Sequence, residues 1–548
     1  MGEGFNLLHE PWVPVLDLRG RERQLSVPEV FEQAPGVVSI AGDVPTQDFA
    51  ILRLLLAFLH RALEGPEDGE DWEELWSAGA LPTDRIARYA ERVENRFDLF
   101  DESAPFFQVP GLRTEKDEVS GLDRLVADVP NGEPLFTTRS AASLACMEPA
   151  EAGRWLVHAH AFDPSGIKSG VVGDHNAKRG KSYPIGTGWS GWLGGVVPQG
   201  SNLRETLLLN LIGREFGTYV RIGGQEDLPP WEREVDKPAG AEDRPPRGAI
   251  DLYTWQTRRV RLVGNRSGVT GVVLSNGDRI PPRNLHRLEP HSVWRYSEPQ
   301  SKSFKEPVYM PQSHDPARSV WRGIGAMLPS TAGRYTAGKS GQPKHIAPGV
   351  LQWIAHLVAQ GHLDEEFRAR VRAIGVEYGS QSSTYAEIVD DSIPVAVALL
   401  RHDDPALGQL AEQAVSDADG AAGALWIFAE NLAQAAGAEA RSGAGDEARE
   451  QLYAALDAPY RAWLARLDTG SDLPEARAIW QRWVHRACLQ LAGELLATAS
   501  PAAWTGRTIN DRLVNVPLAE VWFRAALRTK LALVHAHIPD ESALQEER

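Results

Sequence analysis

The sequence predicts an α+β protein: a large mixed N-terminal domain over residues 1–375, a hairpin over 376–391 and a C-terminal four-helix bundle over 392–548. Three observations carry this expectation. A chain of 548 residues exceeds what one hydrophobic core holds, at ~150 residues per domain. Helical and strand patterns are mixed up to about residue 390, with two apolar runs around Gly264-Asn265 marking a β ladder among helical segments. Beyond residue 392, Ala, Leu, Glu and Arg dominate, and four long helical stretches are joined by short polar links.

In chain order, segment 5–15 mixes apolar residues with Pro11 and Pro14. That suits a short edge strand, because proline brings no N–H to a ladder. Segment 25–31, with Ser26 ahead of apolar residues, reads as a capped short helix. Asp43-Val44-Pro45-Thr46 then precedes Phe49, Leu52, Leu55, Leu56 and Leu59, a start signal followed by helical spacing, and this helix is expected at the centre of the first domain. Residues 83–96 form a second amphipathic helix with Ile86, Tyr89, Ala90 and Val93 on one face. No period organises 131–149, which reads as a long loop. Segment 154–160 leads into a glycine-rich stretch and 203–212 leads out of it as a short apolar helix. The Pro- and charge-rich stretch 227–248 marks an exposed connector. Residues 260–263 and 269–274 flank a Gly-Asn turn, and Asn276-Gly277 signals a further hairpin turn. Residues 298–307 place Lys302 and Lys305 on a loop. Helices return at 348–358 and 363–373, while 371–378 and 384–389 pair as a short hairpin with Gly379, Ser380, Gln381, Ser382 and Ser383 at its tip. The bundle helices fall at 394 or 407 to 436, 446–467, 473–499 and 518–536.

Composition narrows the function. Apolar content of 43% with 24% charged residues is that of a globular protein, not a disordered one. Cys146 and Cys488 stand far apart with no CxxC, against a disulfide framework or a structural zinc site. Met1-Gly2-Glu3-Gly4 has no basic region and no run of about 18 apolar residues occurs, so neither secretion nor membrane spanning is expected and the chain reads as cytoplasmic. A net charge of −17 repels phosphate unless basic groups gather in a local groove.

Glycine recurs at 166, 170, 173, 180, 186, 188, 191, 194, 195 and 200, with Lys168, Lys178, Arg179 and Lys181 among them. Repeated glycine suits backbone that takes positive φ or presses against something that leaves no room for a Cβ, and the interleaved cations point to an anionic partner. Catalytic signatures are missing. Gly186-Thr187-Gly188-Trp189-Ser190-Gly191 has the GxGxxG spacing without the following helix or acid, and Trp192 stands where a nucleophile elbow needs glycine. His158 and His160, on one face of a strand and with an acid such as Asp163 or Asp174, leave a metal-dependent hydrolase open as an alternative; a scaffold subunit is another. Binding is favoured. The DNA minor groove is only about 6 Å wide, so glycine backbone reaches base edges where side chains clash. Lys302 or Lys305 can reach acceptors in the same groove, and a polar tip at Gly379 to Ser383 can insert between base pairs.

At Asn6-Leu7-Leu8 with Trp12-Val13-Pro14-Val15, at 162–170 with its Lys168-Ser169-Gly170, at 203–210 and at the hairpin 378–387, the chain resembles the CasA family, the large subunit of the type I-E CRISPR surveillance complex Cascade. These anchors keep their order over most of the chain. The resemblance implies a non-catalytic subunit without cofactor or metal, whose partners are other Cascade subunits, the guide crRNA, double-stranded target DNA and a helicase–nuclease. It implies that Ser165, Gly166, Ile167, Lys168, Ser169 and Gly170 form the loop that reads the protospacer-adjacent motif (PAM), with Gly166 making the close approach. It implies a lysine finger at Lys302 or Lys305 and a wedge at Gly379, Ser380, Gln381, Ser382 and Ser383, with Gln381 as its glutamine. The loop that docks on a neighbouring subunit and the guide RNA falls within 136–146, at Phe136, Thr137, Thr138 and Arg139. Arg507, Arg512, Arg524, Arg528 and Lys530 are the expected phosphate partners on the bundle. Some relatives carry a cysteine cluster between the central strands; this chain has none there, so zinc is not implied.

Overall fold

The chain begins with a three-stranded antiparallel sheet of β1 (Val13–Asp17), β2 (Glu22–Leu25) and β3 (Val37–Ile40), in the order β2-β1-β3. β1 is therefore central, not the edge strand its prolines suggest. The Pro14 carbonyl accepts from the Ala41 N–H at 2.9 Å beyond the end of β3, so the missing proline N–H falls outside the ladder. The coordinates are a computed structural model that describes residues 4–129, 137, 139, 144–240, 244–337 and 340–534. Two compact units result, 1–320 with 326–393, and 321–325 with 394–548.

In the first unit, α1 (Val27–Gln33) starts at a Ser26–Glu29 capping box, and α2 (Pro45–Leu63) is buried on nearly every side. α2 is the central helix expected from its spacing. α3 (Gly69–Ser77), which no sequence pattern announced, is capped by Asp68 and anchored by Trp72, whose indole N–H donates to the Leu208 carbonyl at 2.7 Å. α4 (Thr83–Val93) buries Ile86, Tyr89, Ala90 and Val93, the predicted face. α5 (Pro149–Phe162) packs on α2. It replaces the strand expected to carry His158 and His160. Two residues apart on a helix is about 200° around its axis, so the two rings point to different sides.

β4 (Lys168–Ser169) and β5 (Lys181–Ser182) form a small ladder inside the glycine-rich stretch, followed by β6 (Gly195–Gln199) and α6 (Leu203–Leu209). The expected connector at 227–248 is partly internal: Asp227 and Trp231 are buried, Trp231 within a cluster that includes Phe97 and Phe106. After α7 (Ala249–Tyr253), β7 (Arg258–Asn265) and β8 (Gly268–Asn276) pair antiparallel. Asn276-Gly277 makes no second hairpin; the Gly277 N–H donates to the Thr257 carbonyl at 2.8 Å and extends the same ladder. β9 (Trp294–Tyr296), α8 (Glu298–Phe304), β10 (Tyr309–Pro311), short turns α9 (Ile324–Met327) and α10 (Pro329–Ala332), and β11 (His345–Ile346) follow, with a sheet ordered β10-β9-β11. α8 occupies what sequence reading took for a lysine-bearing loop, because Pro299 in the first turn favours a helix start.

α11 (Gly349–Gln360) forms as expected, but no helix covers 363–373. Arg368-Ala369-Arg370-Val371-Arg372-Ala373 alternates charged with buried apolar residues, a period of two, and opens β12 (Arg368–Tyr378). β12 and β13 (Tyr385–Ala396) are the long arms of the predicted hairpin, in a sheet ordered β13-β12-β6. At the heart of the unit the Arg53 guanidinium meets Glu289 at 2.7 and 2.8 Å, and the Trp189 indole donates to the same carboxylate at 2.6 Å.

In the second unit, α13 (Ala444–Leu464), α14 (Leu473–Ala497) and α16 (Val516–Lys530) all pack on α12 (Ala406–Ala436). Ala411, Ala414, Ala418, Ala421 and Ala422 line α12, leaving its carbonyls reachable. Trp480 donates to the Ala414 carbonyl at 2.7 Å and Tyr460 to that of Ala411 at 3.0 Å. The first bundle helix starts at 406, since 394–396 complete β13. Between α14 and α16 lie α15 (Pro501–Thr505) and a hairpin absent from the sequence reading, β14 (Arg507–Ile509) with β15 (Arg512–Val514). Asn510 and Asp511 both take positive φ, +48° and +60°, as a two-residue hairpin turn requires.

Candidate nucleic-acid interface

Helix α5 delivers the chain to the glycine loop. Asp163, the residue after the helix, is 5% exposed and accepts from the Arg258 Nε and from the Lys168 ammonium, the latter at 2.6 Å. Arg258, fully buried on β7, also donates through Nη2 to the carbonyls of Asp163, Pro164 and Gly186 at 3.0, 3.0 and 2.9 Å. One guanidinium thus fixes both ends of the loop's base. Burial pushes the Asp163 pKa up, but the adjoining Lys168 and Arg258 charges win and hold it below the usual carboxylate range. Burial draws the Lys168 pKa down despite Asp163.

The loop's two terminal glycines differ. A Cβ on Gly170 would lie 2.7 Å from the Gly180 carbonyl carbon, so this glycine permits the close approach of β4 and β5. Gly188 and Gly191 are also packed inside, against Ala161 and Tyr378. Gly166 has φ +157°, rarely adopted by L side chains, and a Cβ there would meet nothing within 4 Å among the described residues. Ile167 beside it is 54% exposed. Ser165 and Gly166 are half-buried and Ile167 is exposed, outside the β pairing that holds Lys168, Ser169 and Gly170 in the loop's base.

The hairpin tip lies against the same base. Tyr378 and Tyr385, the residues that end β12 and begin β13, both donate their hydroxyls to the Phe162 carbonyl, at 2.7 and 3.1 Å. Between them the Gly379 N–H donates to the Thr384 carbonyl at 3.0 Å, and the Ser383 hydroxyl to the Ser380 carbonyl at 2.8 Å. Gln381 and Ser382 take left-handed conformations, φ +56° and +53°, and the Gln381 side chain is exposed. Left-handed backbone costs an L residue about 1–2 kcal/mol. Glycine loop and tip are thus brought together; a cleft lined by Arg124, Pro164, Lys168, Ser383 and Tyr385 separates them.

Lys302 on α8 is exposed and pairs with Glu298 at 2.8 Å, which raises its pKa. Lys305 ends α8 in a left-handed conformation, φ +58°, exposed and without an ion pair among the described residues. Phe136 and Thr138 lie outside the described residues; the Thr137 hydroxyl donates to Asp128 at 3.2 Å, and Arg139 meets Glu151, Asp43 and Asp128 at 2.5, 3.5 and 3.6 Å. On the second unit Arg507, Arg512, Arg524, Arg528 and Lys530 are all exposed. Arg512 stacks on Trp522 at 3.6 Å, Arg524 pairs with Glu520 at 2.8 Å, and Arg507 lies over Gly437 at the C-terminus of α12, where backbone carbonyls favour a cation. The histidines of the hydrolase alternative are buried: His158 Nε2 bonds Thr46 Oγ1 and His160 Nε2 bonds the Phe107 carbonyl, each at 2.9 Å. No group of three His, Cys, Asp or Glu suited to a metal occurs among the described residues, nor does a helix long and apolar enough to cross a membrane.

Residues 6–491 match the CRISPR-associated protein Cse1 family. The chain belongs to the Cse1/CasA family of type I-E CRISPR Cascade. Its structure is similar to Thermobifida fusca Cse1 at 46% identity, with 97% of this chain and 98% of that one covered and a TM-score of 0.89. It is similar to Cse1 from Acidimicrobium ferrooxidans at 33% identity, covering 96% and 98%, with a TM-score of 0.81. Among curated proteins, CasA/Cse1 of Thermus thermophilus is 29% identical over 525 residues, 92% of each chain. Within this Cse1/CasA chain, sequence reading missed the groups that hold the loop and the tip in place. Arg258, Tyr378 and Tyr385 carry no role in the sequence analysis, where the two tyrosines belong only to the arms of the hairpin. The available signal was a tyrosine on either side of a polar tip.

Proposed function

We propose that this Cse1/CasA chain is the PAM-recognising, DNA-binding subunit of its surveillance complex. The observation that carries the reading is Gly166: an open glycine on a loop whose base is fixed by a buried arginine, beside a strained polar hairpin tip. In this reading the backbone of Ser165, Gly166 and Ile167 enters the minor groove, where A·T and G·C pairs differ but orientation is poorly read, so the PAM is tolerant. Lys302 or Lys305 adds a cation to the same groove. Gln381 at the wedge tip inserts at the first base pair of the target, with unstacking costing a few kcal/mol per step. The guide crRNA then reads the sequence. R-loop formation is nearly balanced in energy, so a small bias at the first opened pairs decides whether zipping begins. Arg528 and Lys530, exposed and without ion pairs among the described residues, support phosphate contact best among the bundle cations. Docking on other Cascade subunits through 136–146, and presentation of a surface to the helicase–nuclease after opening, complete the role. The chain itself performs no bond-breaking chemistry.

The test is gel-shift binding of the assembled complex, with and without this chain, to duplexes that differ only in the three base pairs flanking the protospacer. The reading expects affinity that depends on both. Affinity that depends on the chain but not on those base pairs would leave a scaffold or nonspecific clamp.

A further inference from the structure

We propose that Tyr378 and Tyr385 are positioning residues that couple the glycine loop to the wedge, so that a groove contact at Gly166 sets where Gln381 enters the duplex. This rests on the function proposed above. Phe162 is the last residue of α5, and a carbonyl in that position has no partner within its own helix. A carbonyl oxygen has two lone pairs, and here both hydroxyls that bracket the tip donate to it, at 2.7 and 3.1 Å. The helix end from which the glycine loop departs is therefore capped by the wedge hairpin itself.

The surroundings are shaped for this contact. A Cβ on Gly191 would sit 2.2 Å from the Tyr378 hydroxyl, so only glycine leaves room for it. The two tyrosine rings lie 5.7 Å apart, and the Tyr385 ring also faces His158 of α5 at 6.3 Å. One residue further along, the Asp163 carbonyl accepts from the Gly188 N–H at 2.9 Å and from Arg258, which fixes the loop on its other side. The tip beyond Tyr378 and Tyr385 is held by bonds internal to 379–384, so its direction relative to the loop is set at the shared carbonyl.

The experiment uses the assembled complex carrying Tyr378→Phe and Tyr385→Phe together, which keeps the rings and removes both hydroxyls. Two targets with the same PAM are compared: a fully paired duplex with 2-aminopurine at the first protospacer pairs, and one in which those pairs are already mismatched open. We expect opening of the paired duplex to slow by about tenfold, with affinity for the pre-opened target within about twofold of wild type. Wild-type opening of the paired duplex would overturn the coupling. So would an equal loss on the pre-opened target, since that reports a damaged loop. Should the double variant fail to join the complex, Tyr385→Phe alone carries the test with a smaller slowing of about threefold and the same rescue. Gly166→Leu, run in parallel, separates the two claims: PAM dependence that survives it removes the underlying reading, whereas its loss together with normal opening in the tyrosine variant removes only the coupling.

Discussion

Gly166 and Gly170 are four residues apart and do opposite things. Gly170 lacks a side chain because Gly180 occupies the space, and Gly166 lacks one where nothing among the described residues comes within 4 Å of a Cβ. Lys168 between them is drawn inward to Asp163, so the loop's cation acts on the loop's own shape. The buried Arg258–Asp163 pair shows how much that shape depends on charge. Arg258→Met leaves the Asp163 carboxylate buried with only Lys168, and should lower stability by about 3–5 kcal/mol in urea denaturation. A loss below about 1 kcal/mol would mean that the guanidinium is not the loop's anchor. The two finger candidates separate at the same scale. Lys302 already pairs with Glu298, although an exposed helix pair of this kind is screened by solvent and contributes little. Lys302→Glu and Lys305→Glu, measured one at a time by target affinity, should show one large and one small loss. If both are silent, α8 does not enter the groove.

At the scale of elements, the hairpin's long strands carry the tip, the Tyr378 and Tyr385 hydroxyls tie it to the Phe162 carbonyl, and its strained residues define it. Gln381→Ala with a shortened tip should leave PAM-dependent affinity in place and slow R-loop opening, read by permanganate or 2-aminopurine reactivity. Unchanged opening would assign the wedge elsewhere. The hairpin was legible in the sequence because a glycine- and serine-rich tip lies between two β-rich runs. The helix expected over 363–373 was not: its first six β12 residues alternate Arg with Ala or Val, and the alanines lend a helical composition to what the pairing with β6 makes a strand. His158 and His160 misled in the other direction, since an alternation of two in a short apolar segment reads as a strand, and only the packing of α5 on α2 decides for a helix. Distance in sequence hid the site's anchors as well. Arg258 lies 95 residues from Asp163, and Tyr378 lies 216 from Phe162, separations that no local pattern spans.

At the scale of the whole molecule, the proposed role requires a chain with a net charge of −17 to meet DNA through local features. An uncharged backbone approach at Gly166 suits such a chain better than a broad cationic face. Its stability has a pH signature of its own. Burial lowers the pKa values of His60 and His158 to about 3 and of His160 to about 4. The unfolded chain takes up these protons first, so their contribution is complete above pH 6.5 and is lost as pH falls, by about 2 kcal/mol per histidine at pH 5. Asp48 and Asp227, pushed up by burial to about 6, act in the opposite sense below pH 6, each by about 1.4 kcal/mol at pH 5. The histidines outweigh them. Scanning calorimetry should show a lower Tm at pH 5 than at pH 7, with a smaller drop in His158→Gln; equal Tm values would mean that these rings are charged in the fold. The central claim is that Gly166 reads the flanking base pairs, and the measurement that tests it is the affinity of complexes carrying wild type or Gly166→Leu for duplexes that differ only at those pairs. The account predicts a wild-type preference that the variant loses while still assembling, and an equal preference in both would contradict it.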